Sequence, residues 1–61
     1  MTKSQTRQVQ MIDLYLADGN VGAAARSISA LIRSAMRARD IAELRAYAIA
    51  RNLTGHRDYI V

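Results

Sequence analysis

The sequence predicts an all-α protein, built as a three-helix bundle or as a helical hairpin that carries a third helix. Three observations favour this class: strong helix formers dominate the chain, proline is absent, and no run of alternating β-branched residues occurs. With 61 residues the chain holds one small domain at most. We predict helices at about residues 3–17, 21–38 and 41–53, followed by a C-terminal tail over 54–61.

The first predicted helix has sequence signals at both of its ends. Thr2 and Gln5 have the spacing of a capping box, in which the two side chains bind each other's backbone N–H groups. Gly19, in the segment Asp18-Gly19-Asn20, is the expected left-handed residue at the C-terminus. Between these ends the apolar side chains at helical spacing are Val9, Ile12, Tyr15 and Leu16.

The second predicted helix separates apolar from basic side chains. Asn20 is a favourable N-cap. The arginines at 26, 33 and 37 fall within about 40° of one another on a helical projection. The opposite, apolar stripe consists of Val21, Ala24, Ala25, Ile28, Leu31, Ile32, Ala35 and Met36. This segregation predicts a helix with one face in the core and an arginine face in solvent.

The third helix is predicted to start at Asp40, where Asp40 and Glu43 have the spacing of an acidic capping box. One continuous helix over 21–53 is the alternative. Its phase would place Ile41, Leu44 and Ala48 on the arginine face, so we favour a break near Arg39. Thr54-Gly55 is the predicted end. The helix is apolar on nearly every side, which fits either a central position or a shared interface formed by Ile41, Leu44, Ala48, Ile49 and Leu53.

The small size of the chain favours self-association. A domain of this length buries only about 60% of the surface that its unfolded chain exposes. The chain has no cysteine, so neither a disulfide nor a cysteine-based zinc site compensates. We therefore expect a homodimer or a higher oligomer to complete the core. Two conformations remain possible for the tail 54–61: its apolar end folds back on the core, or it frays.

Few residues offer chemistry of the kind that enzymes need. His56 is the single histidine, and the five acidic residues are scattered along the chain. No nucleophile with a base and an orienting partner can be assembled, so we predict a non-enzymatic protein with no metal and no cofactor. No apolar run reaches the roughly 18 residues of a membrane span, and we expect no membrane partner. With neither cysteine nor an apolar leader, the expected location is the cytoplasm.

The basic charge points to an anionic partner. Nine basic and five acidic residues give a net charge of +4, and eight of the nine basic residues are arginine. The arginine face of the second helix would extend for about 16 Å, long enough to follow a nucleic-acid backbone. Few aromatic residues accompany it, which favours duplex DNA over a single strand. The candidate nucleic-acid-binding residues are Arg26, Ser29, Arg33, Ser34, Arg37, Arg39 and Arg45.

Residues 18–37 resemble the first part of a Fis-type helix-turn-helix. The resemblance lies in Asp18-Gly19-Asn20-Val21, followed by Ala24-Ala25-Arg26 and Ile28. It implies a DNA-binding regulator in which Arg33, Ser34 and Arg37 lie on the recognition helix. Ser29-Ala30 stands where the family has its turn, and the apolar stripe continues through it. The sequence therefore predicts one uninterrupted helix at this point.

Two functions from different classes follow from these observations. The first is a small DNA-binding regulator or accessory factor that contacts the phosphate backbone through the arginine face. The second is a helical interaction module, such as an adaptor, antitoxin or inhibitor, that docks an acidic protein. Both use the same arginines, so the sequence alone does not separate them.

Overall fold

The computed structural model describes all 61 residues and contains three α-helices: α1 (Lys3–Ala17), α2 (Val21–Ser34) and α3 (Ala38–Ala50). The predicted all-α, three-helix class is confirmed. The amine of Met1 contacts Asp40, so α1 begins beside the first turn of α3. Both α1 and α3 pack against α2. None of the three helices combines the length and the apolar character needed to cross a bilayer.

The sequence signals around α1 have the predicted geometry. Thr2 Oγ1 accepts a hydrogen bond from the N–H of Gln5 at 3.1 Å, and Gln5 Oε1 accepts one from the N–H of Thr2 at 2.8 Å. Gly19 has a φ of +75°, and the N–H of Asn20 donates to the carbonyl of Tyr15 at 2.8 Å. This bond closes a Schellman motif at the end of the helix. Asn20 then caps α2 by accepting from the N–H of Ala23.

The break between the second and third helices exists, but its predicted position is wrong. Helix α2 ends at Ser34 rather than near residue 38, because Ala35 adopts an extended conformation with ψ 137°. Helix α3 begins at Ala38 rather than at 41, and Arg37 is its N-cap. Met36, predicted to lie on the apolar stripe of the second helix, therefore lies in the connection and is 95% exposed.

Asp40 was predicted to start the third helix and instead lies inside its first turn. It is only 4% exposed, and its carboxylate lies 3.2 Å from the amine of Met1. Glu43 contacts the same amine at 3.2 Å. These two carboxylates thus link α3 to the N-terminal amine, which is distant in the sequence, and no side chain caps α3. A local spacing rule does not detect such a contact.

The end of the third helix also differs from the prediction. Helix α3 ends at Ala50 rather than at Leu53, because Asn52 takes a left-handed conformation with a φ of 57°. The N–H of Leu53 donates to the carbonyl of Ala48 at 3.0 Å and closes a second Schellman motif. Asparagine tolerates this conformation better than most residues, so it acts here as the stop signal that Thr54-Gly55 was expected to be.

Helix α2, not α3, is the central helix. It packs against both neighbours and contributes six of the twelve buried residues. Two alanines, Ala24 and Ala25, are completely buried and allow close approach of the helices. The nine buried apolar residues form one cluster: Ile12, Ala24, Ala25, Ile28, Leu31, Ile32, Leu44, Ala48 and Leu53.

This core corrects the predicted oligomer interface. Leu44, Ala48 and Leu53 each have 0% exposure within a single chain, so they have no surface to offer a second subunit. Ile41 is half-buried against the same core. Only Ile49, at 63% exposure, remains open. Helix α3 packs on α2 with one side and contacts α1 through the Tyr47 hydroxyl, which donates to the carbonyl of Val9.

Candidate nucleic-acid interface

The C-terminal segment, residues 54–61, folds back along α2. It passes the start of α2 at Gly22, where a Cβ atom on that glycine would lie 3.2 Å from Asp58 Oδ2. Arg26 Nη1 then donates to Asp58 Oδ2 at 3.1 Å. One turn further along the helix, Ser29 Oγ accepts from the N–H of Ile60 at 3.0 Å. The segment thus lies parallel to α2 on the face predicted to be open to solvent.

The last of these contacts involves Arg33, whose Nη1 donates to the carbonyl of Ile60 at 2.6 Å. Arg26 and Arg33 thus both contact the C-terminal segment, but they differ in charge balance. Arg26 forms an ion pair with Asp58, whereas Arg33 contacts a neutral carbonyl and has no acidic partner. Both arginines nevertheless stay exposed, with the Arg26 side chain at 63%, so the segment contacts the predicted arginine face without burying its guanidinium groups.

The two serines assigned to the predicted interface have structural contacts. Ser29 is 1% exposed, and its hydroxyl donates to the carbonyl of Ala25 at 2.8 Å. It is not available to a phosphate, so its assignment is wrong. Ser34 is exposed, and its hydroxyl donates to the carbonyl of Leu31 within its own helix.

Three exposed arginines lie close together in sequence where α2 meets α3. Arg33 lies in the last turn of α2, Arg37 in the connection and Arg39 in the first turn of α3. Arg39 has an 89% exposed side chain and only a long, 3.8 Å contact to Glu43. Met36, which is 95% exposed, lies in the same connection. We call Arg33, Met36, Arg37 and Arg39 the junction surface.

The net positive charge of the chain is distributed unevenly. Four of the five carboxylates form ion pairs: Asp13 with Arg51, Asp58 with Arg26, and Asp40 and Glu43 with the Met1 amine. The one unpaired carboxylate, Asp18, lies at the α1–α2 turn, at the far end of α2 from the junction surface. The cations without an acidic partner are Lys3, Arg7, Arg33, Arg37, Arg45 and Arg57.

The first turn of α3 adds a further positive contribution to the junction surface. Its N-cap, Arg37, makes no side-chain capping bond. The unsatisfied N–H groups of a helix N-terminus carry partial positive charge and favour anions. The Met1 amine and Arg39 together balance the two adjacent carboxylates of Asp40 and Glu43, which leaves the charges of Arg33 and Arg37 uncompensated. An anion approaching Arg37 therefore meets a local excess of positive charge.

A separate polar cluster links α3 to α1 at the end of the bundle opposite the junction surface. Asp13 Oδ1 accepts from Arg51 Nε and from the Tyr47 hydroxyl, both at 2.8 Å, and the Arg51 guanidinium stacks 3.8 Å from the centre of the Tyr47 ring. The bond from Arg51 lowers the pKa of Asp13. Burial, followed by the bond to Asp13, raises the pKa of Tyr47. These residues are too distant in sequence for any local pattern to indicate their contact.

The remaining predicted residue, Arg45, is exposed on α3 and has no ion pair. The structure has no surface pocket, and no three His, Asp or Glu side chains lie close enough to hold a metal. Helix α2 continues unbroken through Ser29 and Ala30, where a Fis-type motif has its turn. No protein-family model matches this chain, and neither the curated proteins nor the solved structures include a significant match.

Proposed function

We propose that this protein binds duplex DNA through the junction surface and acts as a DNA-binding accessory factor or regulator without catalytic activity. The observation that carries the proposal is the concentration of exposed arginines at the α2–α3 connection, with the nearby carboxylates already paired. The binding surface differs from the one expected from sequence, because Arg26 is paired with Asp58 and Arg37 lies in the connection rather than on α2.

The chemistry of arginine supports a phosphate partner. A guanidinium presents a planar fork of N–H donors that matches phosphate oxygens. Each phosphate that is neutralised on a duplex releases condensed counterions, so affinity falls as salt rises. Arg33 and Arg37 together are expected to account for about two units of the slope of log K against log salt concentration.

The test compares variants that remove the same charge at opposite ends of α2. Arg37→Ala removes an exposed, unpaired cation at the junction surface, and Arg57→Ala removes one beside the start of α2. Binding to a labelled duplex is measured by fluorescence anisotropy across a salt series. We expect Arg37→Ala to weaken binding and flatten the slope by about one unit. Arg57→Ala is expected to change the slope much less.

The double variant Arg33→Ala/Arg37→Ala extends this test. Because Arg33 also contacts the carbonyl of Ile60, circular dichroism and thermal unfolding accompany the binding measurement. A slope that stays unchanged in a folded double variant would remove the proposal. So would equal effects of Arg37→Ala and Arg57→Ala.

A second function, docking to an acidic protein, is favoured by one specific observation. Met36 and Ile60 are 95% and 66% exposed; the carbonyl of Ile60 accepts from Arg33, and Met36 follows Arg33 by three positions in the chain. Exposed apolar side chains together with arginine are typical of the central part of a protein–protein interface. Purification with and without nuclease distinguishes the two functions. A stoichiometric protein complex that survives nuclease supports docking, whereas carry-over nucleic acid alone supports DNA binding.

A further inference from the structure

Met36 is the most exposed large apolar residue of the chain, at 95%. It lies in a short connection whose backbone is extended on both sides, with ψ of 137° at Ala35 and 132° at Arg37. Helix α2 ends just before this connection and α3 begins just after it, so both ends of the connection are held in place. Little conformational entropy of the backbone is therefore lost when a partner binds here. The side chain contributes nothing to the core, and the fold leaves it free for another contact.

The charges around Met36 limit what can cover it. A second copy of the chain meeting it about a two-fold axis would bring Arg33, Arg37 and Arg39 against their own equivalents, and like charges repel. An anionic partner with an apolar interior fits instead. Duplex DNA has this character, because its outer phosphates are charged and its stacked bases are apolar.

We propose that Met36 is a wedge that inserts between two base pairs from the minor groove while the flanking arginines hold the phosphates and groove walls. The proposal rests on the DNA binding proposed above. Methionine is among the apolar residues that unstack base steps in this way, and its unbranched side chain adapts to a narrow gap. The flanking arginines supply the positive charge that binds the phosphates on both sides of the inserted side chain.

Insertion of a side chain has two consequences for the DNA. The unstacked step kinks the duplex towards the major groove. Sites with a flexible pyrimidine–purine step, such as TA or CA/TG, deform most easily and should be preferred over stiff A-tracts. The proposed ligand is therefore a duplex with a central TA step, and the expected product is a bent complex.

The experiment measures bending and unstacking separately from binding. A short duplex carries a donor and an acceptor dye at its ends, and a second duplex carries 2-aminopurine at the central TA step. Wild-type protein, Met36→Ala and the control Met11→Ala are compared. Met11 is also an exposed methionine, at 49%, but it lies on α1. Because Met36 has almost no contacts to lose, thermal unfolding of Met36→Ala should match that of the wild type.

We expect wild type and Met11→Ala to raise both energy transfer and 2-aminopurine fluorescence on binding. Met36→Ala should lose most of both signals while keeping the wild-type salt slope, since the arginines are unchanged. Binding by the wild type without either signal, or equal signals from Met36→Ala, overturns the wedge and leaves the phosphate contacts standing. No binding of the wild type to any duplex, including at low salt, overturns the wedge together with the proposed function.

Discussion

Arg26 and Asp58 form an ion pair with an Nη1–Oδ2 distance of 3.1 Å, although 32 positions separate them in the sequence. This pair places the C-terminal segment on α2 and divides the predicted arginine face into two parts. Arg26 faces the segment, and Arg37 lies beyond the end of the helix. Of the three arginines predicted on one face of α2, Arg33 and Arg37 keep their charge unpaired, and both lie at or beyond the last turn of the helix.

The close approach of Asp58 to Gly22 predicts that these two positions are coupled. Replacing a helical glycine by alanine stabilises a helix by up to about 1 kcal/mol. In the wild type, the new Cβ would lie 3.2 Å from Asp58 Oδ2, so part of this gain is lost. We expect Gly22→Ala to be more stabilising in an Asp58→Ala background, by about 0.5 kcal/mol or more. Urea denaturation of the four chains measures the coupling, and identical effects in both backgrounds would contradict it.

The buried hydroxyl of Ser29 is expected to stabilise the docked C-terminal segment. Ser29→Ala leaves the partly buried N–H of Ile60 without its acceptor, and we expect a loss of about 1–2 kcal/mol. Ser34→Ala is the matched control, because that hydroxyl is bonded only within α2 and should change stability by less than about 0.5 kcal/mol. Chemical denaturation gives both values. Equal effects of the two substitutions would show that the hydroxyl of Ser29 has no special role.

The burial of Leu44 predicts that it supports the fold of one chain. Leu44→Ala creates a cavity at a fully buried position and should destabilise the protein by about 2–5 kcal/mol. Ile49→Ala, on the same helix but 63% exposed, should have a much smaller effect. Denaturation is followed at several protein concentrations. If Leu44→Ala instead left stability intact and changed only the concentration dependence, the residue would belong to an interface between chains.

The bond between Asp13 and Arg51 predicts a specific pH dependence of stability. The pKa of Asp13 is lower in the folded chain than its ordinary value, because Arg51 donates to the carboxylate. The unfolded chain therefore binds the proton more readily. The contribution is fully present above about pH 4 and is lost as the pH falls through the folded-state pKa. Both side chains are partly exposed, so its size is about 0.5–1 kcal/mol.

Urea denaturation between pH 2 and pH 7 checks this dependence. Asp13→Asn should lose stability at neutral pH and show a shallower decline in acid than the wild type. Asp18→Asn is the control, because Asp18 forms no ion pair. Its acid decline should match that of the wild type. An unchanged acid decline in Asp13→Asn would contradict the assignment of this carboxylate.

Several local features of the fold could be predicted because each depends on residues close in sequence. The capping box of Thr2 and Gln5 and the left-handed Gly19 both have the expected geometry. The phase shift of the apolar pattern correctly predicted two helices after Asn20. The boundaries at Ser34 and Ala50 were missed, because Ala35 and Asn52 end their helices without a glycine or proline to mark the position.

The candidate site was less predictable than the fold. Periodicity placed Arg26, Arg33 and Arg37 on one helical face, but it contains no information about which segment covers that face. Arg26 pairs with Asp58, Ser29 binds Ile60, and Arg37 lies outside the helix. The exposure of Met36 likewise depends on where α2 stops. A single sequence does not reveal these contacts because the partners are distant along the chain.

The helical class, the number of helices and the excess of arginine follow from local propensity, periodicity and composition, so residues close together in the sequence suffice to predict them. The central position of α2, the burial of Leu44 and Leu53, and the packing of the C-terminal segment along α2 depend on contacts between residues distant in the sequence. Such burial and ion pairing are set by which distant segments meet. Helical periodicity groups residues on a face, and only packing decides whether that face contacts water or protein.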